Sequence, residues 1–381
     1  MTFTETMASE RTPVIFVGSK ESVFVVRTAH ALEQRGIPIR ILDPRERLPQ
    51  RMFDWAGPLG AAVFRLLDTR HRLRSLDRGH LVIIHGLGTD VAWLVPLLKS
   101  RFARVVGVAY GSDILRRRRW RDWALGPALE ALDHIAATND NVISAIRESF
   151  PRLPTSKLSV IRFGLPVIDE LRDVILPARD KRDVKVALGL DPDRITVALG
   201  YSATAGQRQV ELIEGLSRRC DSLPGIQFIA PIQYGAMAVK CAVLEACKNA
   251  NERCGRARFV PLTDFYDVHQ SALLRLATDA LINHSISDAF SGTVLETIYA
   301  GNLVLAARHL PYQAMPGAGT SIWFYHNVAD LAEMLSERSL GAMARKAATG
   351  ISLTRADLEE VCSWEGVIPA WISLIDGADG Y

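Results

Sequence analysis

The sequence predicts an α/β protein built from two doubly wound domains, each with a parallel sheet. At 381 residues the chain is long enough for two full cores and long for a single domain. Short apolar runs of strand length alternate with segments of helical periodicity along most of the chain. Strands separated by helices pair in parallel, with helices on both faces of the sheet. The alternation restarts after a polar, proline-marked stretch at 176–193, which indicates a second unit of the same kind.

Six strands and five helical segments are predicted in the first half of the chain. The apolar runs place the strands at 13–18, 37–42, 81–84, 105–108, 135–137 and 158–161. The helical spacings fall at 23–34, 53–76, 91–98, 120–132 and 141–148. Gly36 ends the first helical spacing, and Asp43-Pro44 ends the second strand.

The second half repeats this order. Strands are expected at 195–200, 226–231, 258–260, 280–282, 303–306 and 321–324. Helices are expected at 209–217, 237–251, 266–276 and 292–300, with more helix from 328 onward. We therefore predict an N-terminal domain at 1–172 and a C-terminal domain at 173–381, whose last helix could return to the first domain. Ligands of such sheets bind beyond the carboxyl ends of the strands, so the expected site lies between the domains.

Charge and cysteine usage limit the class of protein. The net charge is +3, but residues 1–178 carry 26 Lys and Arg against 19 Asp and Glu, which favours an anionic partner or surface for that half. The apolar runs are too short to span a membrane, and the first dozen residues lack the order of a signal peptide. Five cysteines with no Cys-x-x-Cys pair predict reduced thiols in a cytosolic protein.

Residues 287–301 carry the strongest functional signal. Asp288 follows a short apolar run, and a Ser/Gly turn then opens a helix that contains a second acid, Glu296. The start of a helix offers free amides and the positive end of its dipole, which suit a phosphate. We expect the amides of Ser291, Gly292 and Thr293 to hold a phosphate, with hydroxyl-binding acids on either side. This pattern predicts a site for a nucleotide-diphosphate sugar.

The segment from Asp288 to Glu296 resembles the acid-x7-acid signature of the family-4 retaining glycosyltransferases, and residues 299–306 (YAGNLVLA) are similar to the tail that follows it. The stretches VIIHGLGTD, GVAYGSDIL, HIAATNDNVISAI and KLSVIRFGLP resemble strand ends and the exit strand of that family's N-terminal domain. The resemblance implies the GT-B fold, in which two Rossmann-like domains face each other across a cleft. It also implies that the C-terminal domain binds a nucleotide-diphosphate sugar and the N-terminal domain an acceptor.

The loop at 200–209 (GYSATAGQRQ) departs from that family's pattern. Gln207 stands where the family has a lysine for the diphosphate, and Tyr110 replaces a histidine of a His-Gly-Ser-Asp pattern. This loop, with QFIAPIQYG and LVLAARHLPYQ, looks more like the bacterial Fuc4NAc (4-acetamido-4,6-dideoxygalactose) transferases. The resemblance therefore implies the class of enzyme and leaves the sugar open.

The two acids and the helix start each have a functional and a structural interpretation. Glu296 is expected to bind ribose hydroxyls, or else it complements the helix dipole. Asp288 would hold a hydroxyl of the donor sugar or stabilise positive charge at its anomeric carbon, unless it is a turn residue. The structural alternative for Ser291 is a plain N-cap.

Four further residues complete the predicted donor-binding set. Arg208, with Ser202 and Thr204, is expected to meet the diphosphate from the other side, because a guanidinium matches two phosphate oxygens. The alternative for Arg208 is a solvated arginine on a first helical turn. Tyr234 belongs to the QFIAPIQYG stretch beside this loop. No acidic cluster has metal-ligand spacing, so we expect neither a metal nor another cofactor.

Two residues at strand ends are the candidates on the acceptor side. His85 could act as a base or bind an acceptor hydroxyl, and Asp113 follows the next strand. The structural alternatives are a histidine of the core and a helix cap by Asp113.

An arginine run with an adjacent tryptophan predicts a membrane or acceptor surface. It consists of Arg116, Arg117, Arg118, Arg119 and Trp120. Arginines meet anionic lipid headgroups and tryptophan favours the interface, and the amphipathic region 52–76 could add to this surface. The alternative is a solvated basic face. No nucleic-acid-binding motif accompanies the charge, so we expect no nucleic-acid partner.

Together these features predict a glycosyltransferase, hexosyltransferase-type and retaining, in cell-surface polysaccharide or glycolipid biosynthesis. Its expected partners are a nucleotide sugar, a glycan or lipid-linked acceptor and an anionic membrane surface. Its expected location is the cytoplasm, peripherally at the inner face of the cell membrane. Two rival functions are a nucleotide-sugar epimerase or hydrolase on the same fold and a non-catalytic GT-B partner subunit.

Overall fold

The computed structural model describes residues 12–44, 46, 63–76, 78, 80–115, 119–223, 225–255, 258–288, 291–314 and 320–377. These residues fall into two compact units. The first combines the described parts of Met1–Gly164 and Val367–Tyr381, and the second is the described part of Leu165–Gly366. The division falls after Gly164, where the sequence interpretation placed it after residue 172, and the end of the chain groups with the first unit.

The first unit contains a parallel sheet. Within the described residues its strands are β1 (Val14–Val17), β2 (Ile39–Leu42), β3 (Leu81–His85), β4 (Arg104–Ala109), β5 (His134–Ala137) and β6 (Leu158–Val160), in the order β2-β1-β3-β4-β5-β6. The connecting helices are α1 (Val23–Glu33), α2 (63–73), α3 (Val91–Lys99), α4 (Ser112–Leu115), α5 (Arg119–Ala131) and α6 (Asp140–Ser149). The predicted strands and helices of this half are confirmed, except that residues 53–62 of the second helical segment lie outside the described residues.

Burial of the first sheet explains its apolar strands. Every residue of β1 is buried, and in β3, β4 and β5 every residue after the first is buried. A parallel sheet covered on both faces requires such near-continuous apolar runs. Helix α6 is capped by Asn139, whose side-chain oxygen accepts a hydrogen bond from Val142 N at 3.0 Å.

The second unit also contains a parallel sheet. In the part of the chain that is described, its strands are β7 (Ile195–Leu199), β8 (Ile226–Pro231), β9 (Phe259–Leu262), β10 (Ala280–Asn283), β11 (Leu303–Ala307) and β12 (Ile322–Tyr325), in the order β12-β11-β10-β7-β8-β9. The chain runs outward from β7 to β9 and then returns to place β10 on the other side of β7. This reversal is the topological switch point at which doubly wound sheets bind ligands.

Helices surround the second sheet. Before it lie α7 (Pro166–Glu170), a π-helical turn (Leu171–Ile175), α8 (Leu176–Ala178) and α9 (Lys181–Ala187). The later helices are α10 (Gln209–Ser217), α11 (Met237–Cys254), α12 (Val268–Ala277), α13 (Gly292–Tyr299), α14 (Val328–Met334), α15 (Glu337–Cys362) and α16 (Trp364–Asp376), and the residues of α16 from Val367 onward belong to the first unit. Among the described helices, none has the length and apolar character needed to cross a bilayer.

The polar, proline-marked stretch 176–193 is largely helical. Helix α9 packs against α12, and two of its lysines bind the acid that precedes β10. Lys185 Nζ lies 2.6 Å from Asp279 Oδ2, and Lys181 Nζ lies 3.0 Å from Asp279 Oδ1. Burial acts to raise the pKa of Asp279, but the two lysines outweigh it and the pKa is lowered. Two lysines of this polar stretch therefore form ion pairs that hold α9 to the sheet.

Cys220 and Cys254 form a disulfide, so the prediction of five reduced thiols was wrong for this pair. Their Cα atoms lie 5.8 Å apart although 34 residues separate them in the chain. Helix α10 packs against α11, which brings the turn after α10 to the last residue of α11. A contact made by two packed helices leaves no spacing signal in the sequence. The other three cysteines are free.

Candidate functional site

Most of the predicted donor-side residues lie at the carboxyl ends of β7, β8 and β10. The loops after these strands are residues 200–208, 232–236 and the described part of 284–291. Because β7 and β10 are neighbours at the switch point, their loops lie side by side. A hydrogen bond from Ile286 N to Gly206 O, 2.9 Å long, joins the two loops directly.

A short backbone bridge holds the loop after β7 against the loop after β8. Ala203 pairs with Gly235, and Ala203 N donates to Tyr234 O at 2.8 Å. Gly235 has φ of +127°, and a Cβ placed on it would lie 2.1 Å from Ala203 O. Only glycine fits this close approach. The bridge therefore holds Ser202 and Tyr234 on neighbouring loop segments.

Gln207, which replaces the lysine of the resembled family, is buried, with 5% of its surface exposed. Its Nε2 donates to Ser285 Oγ at 3.0 Å, and its Oε1 accepts from Tyr201 N at 3.3 Å. Both ends of the side-chain amide are thus engaged within the loops. Gln207 therefore connects the two loops by hydrogen bonds, and it does not supply the positive charge of the lysine that it replaces.

Asp288 is held by a cluster of hydrogen-bond donors. Its Oδ2 accepts from Asn283 Nδ2 at 2.7 Å, from the Tyr312 hydroxyl at 2.5 Å and from the Tyr201 hydroxyl at 3.1 Å. Burial and the charge of Asp288 raise the pKa of both tyrosines far above the usual value of 10. The hydroxyls therefore stay protonated and donate to the carboxylate, which is fixed in place.

The start of α13 presents backbone amides. Ser291 is the N-cap by position, but its side chain makes no capping hydrogen bond, and its amide donates weakly to the Tyr312 hydroxyl at 3.4 Å. The amides of Gly292 and Thr293 have no hydrogen-bond partner among the described residues. A Cβ on Gly292 would lie 2.9 Å from Leu165 Cδ2, so a larger residue here would displace the end of the Leu165 side chain. Within the described part of the chain these two amides at a helix start stay unpaired, and a helix start of this kind is a common position for an anion.

Glu296 lies one turn further along α13 and is paired with an arginine. Arg275 Nε donates to Glu296 Oε2 at 3.0 Å, and Arg275 Nη2 donates to Thr293 Oγ1 at 3.2 Å. The two charged side chains are 12% and 10% exposed. The other carboxylate oxygen, Oε1, lies 3.7 Å from where a Cβ on Gly292 would be, over the first turn of the helix.

Arg208 occupies an unusual backbone position at the start of α10. Its φ is +52°, and among the described residues it alone combines positive φ with a side chain. Its guanidinium binds both oxygens of Glu211, each at 2.7 Å. His284 Nε2 lies 3.3 Å from Glu211 Oε1, and burial lowers the pKa of His284. The expected cation at the diphosphate is therefore held by an acid of its own helix.

Tyr234 and Ser202 form the polar edge beside these groups. The Tyr234 side chain is 52% exposed, and its hydroxyl interacts with Ser202. Burial of the hydroxyl raises the pKa of Tyr234. The charge of Arg275 acts to lower this pKa and the charge of Glu296 acts to raise it, so the Tyr234 hydroxyl is close enough to interact with both charges. Ser202 Oγ is 3.4 Å from Thr204 Oγ1, and Thr204 is exposed.

In the first unit, His85 lies in a buried aromatic cluster. Its Nδ1 is 2.7 Å from the Tyr110 hydroxyl, and its ring contacts Phe16 and stacks on Trp371. Burial lowers the pKa of His85 to about 3, so the imidazole is neutral at physiological pH. Its Nε2 is buried with no hydrogen-bond partner within the described structure. A neutral imidazole with so low a pKa is a weak proton acceptor, which favours positioning over base chemistry.

Asp113 organises the loops after β3 and β4. Its Oδ2 accepts from Leu87 N at 2.7 Å, and its Oδ1 accepts from Gly111 N at 2.8 Å and Tyr110 N at 3.0 Å. Asp113 lies inside α4, so the expected helix cap is replaced by a tie between two loops. The carboxylate holds Tyr110 beside His85.

The predicted membrane surface is only partly described. Arg116, Arg117 and Arg118 lie outside the described residues, and Arg119 and Trp120 begin α5. One turn further, Trp123 has 85% of its surface exposed, which is unusual for so large an apolar side chain.

The predicted site residues therefore fall into two groups. In the second unit the sheet topology brings together the residues of the three loops and of α13: Asp288, Ser291, Gly292, Thr293, Glu296, Arg208, Ser202, Thr204 and Tyr234. His85 and Asp113 belong to the first unit.

Sequence reasoning missed several residues of the second unit. Tyr201 and Asn283 stand at the carboxyl ends of β7 and β10, a position that could have marked them. Tyr312 follows β11 by five residues, and Arg275 lies within α12, so neither gave a signal. Within the described residues, no group of three metal-binding side chains is placed to hold an ion.

Comparison with known proteins identifies the fold. No protein-family model matches the chain, and no curated protein matches its sequence. Solved structures do match. HepE of Anabaena in complex with UDP is 14% identical, with 96% of this chain and 100% of that chain covered and a TM-score of 0.72. HepE is also known with UDP-glucose.

Two synthases give similar values. Sucrose-phosphate synthase of Thermosynechococcus elongatus is 15% identical over 96% of this chain and 99% of that chain, with a TM-score of 0.73. The UDP-forming α,α-trehalose-phosphate synthase of Burkholderia xenovorans with glucose-6-phosphate is 11% identical over 96% and 100%, with a TM-score of 0.70. The two Rossmann-like units therefore have the GT-B fold, as the sequence predicted.

Proposed function

We propose that the protein is a glycosyltransferase that moves a sugar from a nucleotide-diphosphate donor to a hydroxyl of an acceptor. One observation carries the proposal: at the switch point of the second sheet, the Gly292 and Thr293 amides at the start of α13 have no partner among the described residues and lie in the chain between Asp288 and Glu296. Amides and the helix dipole suit phosphates, and carboxylates suit the hydroxyls of a ribose and a sugar. The structures of HepE with UDP and UDP-glucose support the same class of ligand.

The donor is proposed to bind along the carboxyl edge of the second sheet. Glu296 accepts hydrogen bonds from the ribose hydroxyls, and the amides of Gly292 and Thr293 meet the distal phosphate. Tyr234, with its exposed ring beside Ser202, covers the nucleoside end. Arg208 exchanges Glu211 for the diphosphate, since a guanidinium binds a phosphate as readily as a carboxylate.

The reaction breaks the bond between the anomeric carbon and the diphosphate and forms one to the acceptor oxygen, whose proton passes to the leaving diphosphate. Negative charge grows on the leaving diphosphate and positive charge on the sugar ring. The α13 amides and Arg208 stabilise the first, and Asp288, fixed by Tyr201 and Tyr312, stabilises the second. These groups supply the charge that a divalent cation would otherwise bring, so we propose a reaction without metal or other cofactor.

The finer assignments are also proposals. The first unit binds a glycan or lipid-linked acceptor near His85 and Tyr110, whose loops Asp113 fixes. The enzyme is hexosyltransferase-type and retaining, similar to the family-4 and Fuc4NAc transferases, and acts in polysaccharide or glycolipid synthesis. It works in the cytoplasm at the inner face of the membrane, where the arginine run and the exposed Trp123 meet anionic lipid.

A panel of UDP-, GDP-, dTDP- and ADP-sugars tests the proposal by thermal shift, followed by donor consumption with and without candidate lipid-linked acceptors. The proposal predicts that at least one nucleotide sugar raises the melting temperature and that its consumption requires an acceptor. Sugar release or epimerisation without any acceptor would favour a hydrolase or epimerase. Failure of every donor to bind would favour a non-catalytic subunit.

A further inference from the structure

Arg275 is the charged group that contacts Glu296, and it comes from a different helix. It lies on α12, near the end of that helix, while Glu296 lies on α13. The guanidinium makes two directed contacts, to Glu296 Oε2 at 3.0 Å and to Thr293 Oγ1 at 3.2 Å. Both contacts are to the first two turns of α13. The arginine therefore fixes the Glu296 side chain relative to the start of the helix.

The pairing leaves one carboxylate oxygen for a ligand. Glu296 Oε2 is occupied by Arg275, whereas Oε1 accepts no hydrogen bond from any described residue. Oε1 lies over Gly292, whose amide also has no partner in the described part of the chain. A vicinal diol bound to Oε1 would therefore lie next to a phosphate bound at the helix start. A nucleoside diphosphate carries both of these groups.

The pairing also cancels a charge that would oppose binding. An isolated carboxylate near the start of α13 would repel a diphosphate, and the low exposure of both side chains reduces screening by water. Arg275 supplies the opposite charge at hydrogen-bond distance. It thus permits an acid and a diphosphate to occupy neighbouring positions.

Arg275 is itself held in place by its surroundings. Its carbonyl oxygen accepts from Asn302 Nδ2 at 2.6 Å, which ties the end of α12 to the residue before β11. At its other end α12 is fixed by a capping box between Asp267 and Gln270. A rigid helix with both ends secured can present an arginine in one orientation.

We propose that Arg275 is a positioning residue that aims Glu296 Oε1 at the ribose and so gives the donor site its preference for ribonucleotides over deoxyribonucleotides. The inference rests on the proposed function, because it requires a nucleoside diphosphate at α13. In this proposal Arg275 sets the preference for ribose over deoxyribose in the nucleotide, although the arginine does not contact that ring.

Titration calorimetry with UDP, 2′-deoxy-UDP and 3′-deoxy-UDP tests this role in wild type, Arg275→Met and Arg275→Lys. We expect wild type to bind UDP about 10-fold more tightly than the weaker of the two deoxy analogues, because a hydrogen bond to a charged group is lost. Arg275→Met should reduce that ratio to about 2-fold or less. Arg275→Lys should fall between the two, since a lysine keeps the charge and loses the planar fork.

Two further variants separate positioning from folding. Arg182→Met removes an arginine of the same unit whose side chain is 61% exposed, and it should keep the wild-type ratio. Thr293→Val leaves Arg275 in place and removes its second contact, so the ratio of UDP affinity to deoxy-UDP affinity should fall about 2- to 3-fold. This variant tests the positioning role if Arg275→Met does not fold.

The outcomes distinguish this inference from the proposed function. If wild type binds UDP with a ribose preference that Arg275→Met or Thr293→Val retains in full, the positioning role is overturned and the donor site stands. If wild type binds no nucleoside diphosphate of any base, the proposed function is overturned and this inference with it.

Discussion

The hydroxyl of Tyr312 links Asp288 to the start of α13. It lies 2.5 Å from Asp288 Oδ2, to which it donates, and it accepts a weaker hydrogen bond from Ser291 N at 3.4 Å. Its pKa is raised well above 10 by burial and by the charge of Asp288, so it remains a donor across the physiological pH range. One buried tyrosine therefore fixes the acid relative to the amides proposed to bind phosphate.

Tyr312→Phe should slow sugar transfer more than it weakens donor binding. The substitution keeps the ring and removes one of the three donors to Asp288 found among the described residues, so the carboxylate is held less firmly. We expect kcat to fall about 10-fold, the value of one hydrogen bond to a charged group. Steady-state kinetics of the variant measure this, with Tyr266→Phe as a control because Tyr266 lies outside the Asp288 cluster. An unchanged kcat would show that the link has no role in the reaction.

His85 should make stability depend on pH in the mildly acidic range. Burial lowers its pKa to about 3 in the folded protein, against 6.5 in the unfolded chain. Between these values the unfolded chain binds a proton that the folded protein does not. The free energy of unfolding is therefore not reduced by His85 above pH 6.5. Below pH 6.5 it falls by about 1.4 kcal/mol per pH unit, until the pH reaches the pKa of the folded protein.

Urea unfolding from about pH 7.5 to pH 5 measures that slope, and His85→Gln should flatten it because glutamine does not titrate. An equal slope in wild type and variant would contradict the burial of a neutral imidazole.

Asp279→Asn should destabilise the second unit. The substitution leaves Lys185, which is 6% exposed, without its counter-charge, and the expected loss is about 3 kcal/mol. Because the pKa of Asp279 is lowered in the folded protein, its ion pairs contribute fully to the free energy of unfolding above the ordinary pKa of 3.8. That contribution is lost as the pH falls through the lowered pKa of the folded protein. Thermal unfolding at neutral pH checks the effect. Asp193→Asn removes an acid from an exposed pair and should change the melting temperature little; equal losses in both variants would refute the structural role of Asp279.

The sheets and most helices could be predicted from the sequence because buried parallel strands have a strong local signal. Near-continuous apolar runs such as β8 and β11 are buried along their whole length. The helix start at Ser291 was equally visible, since a Ser/Gly turn before an apolar-periodic segment is local chemistry. Asp288 and Glu296 followed from that one segment.

The partners of those residues could not be predicted, because they come from distant parts of the chain. Tyr201 reaches Asp288 from 87 positions away, and Arg275 reaches Glu296 from the preceding helix. Gln207 looked like a missing cation, and only the packing shows that its amide closes the loop. The ion pairs of Lys181 and Lys185 with Asp279 could not be predicted for the same reason, because a charged residue gives no local sign of a distant partner.

The most direct measurement is calorimetric titration of the preferred nucleotide sugar into wild type and Glu296→Ala. Glu245→Ala, which removes an exposed acid from α11, serves as the matched control. We expect saturable binding to wild type and to the control, and affinity at least about 10-fold weaker in Glu296→Ala. Equal affinity in all three proteins would contradict the donor site at α13.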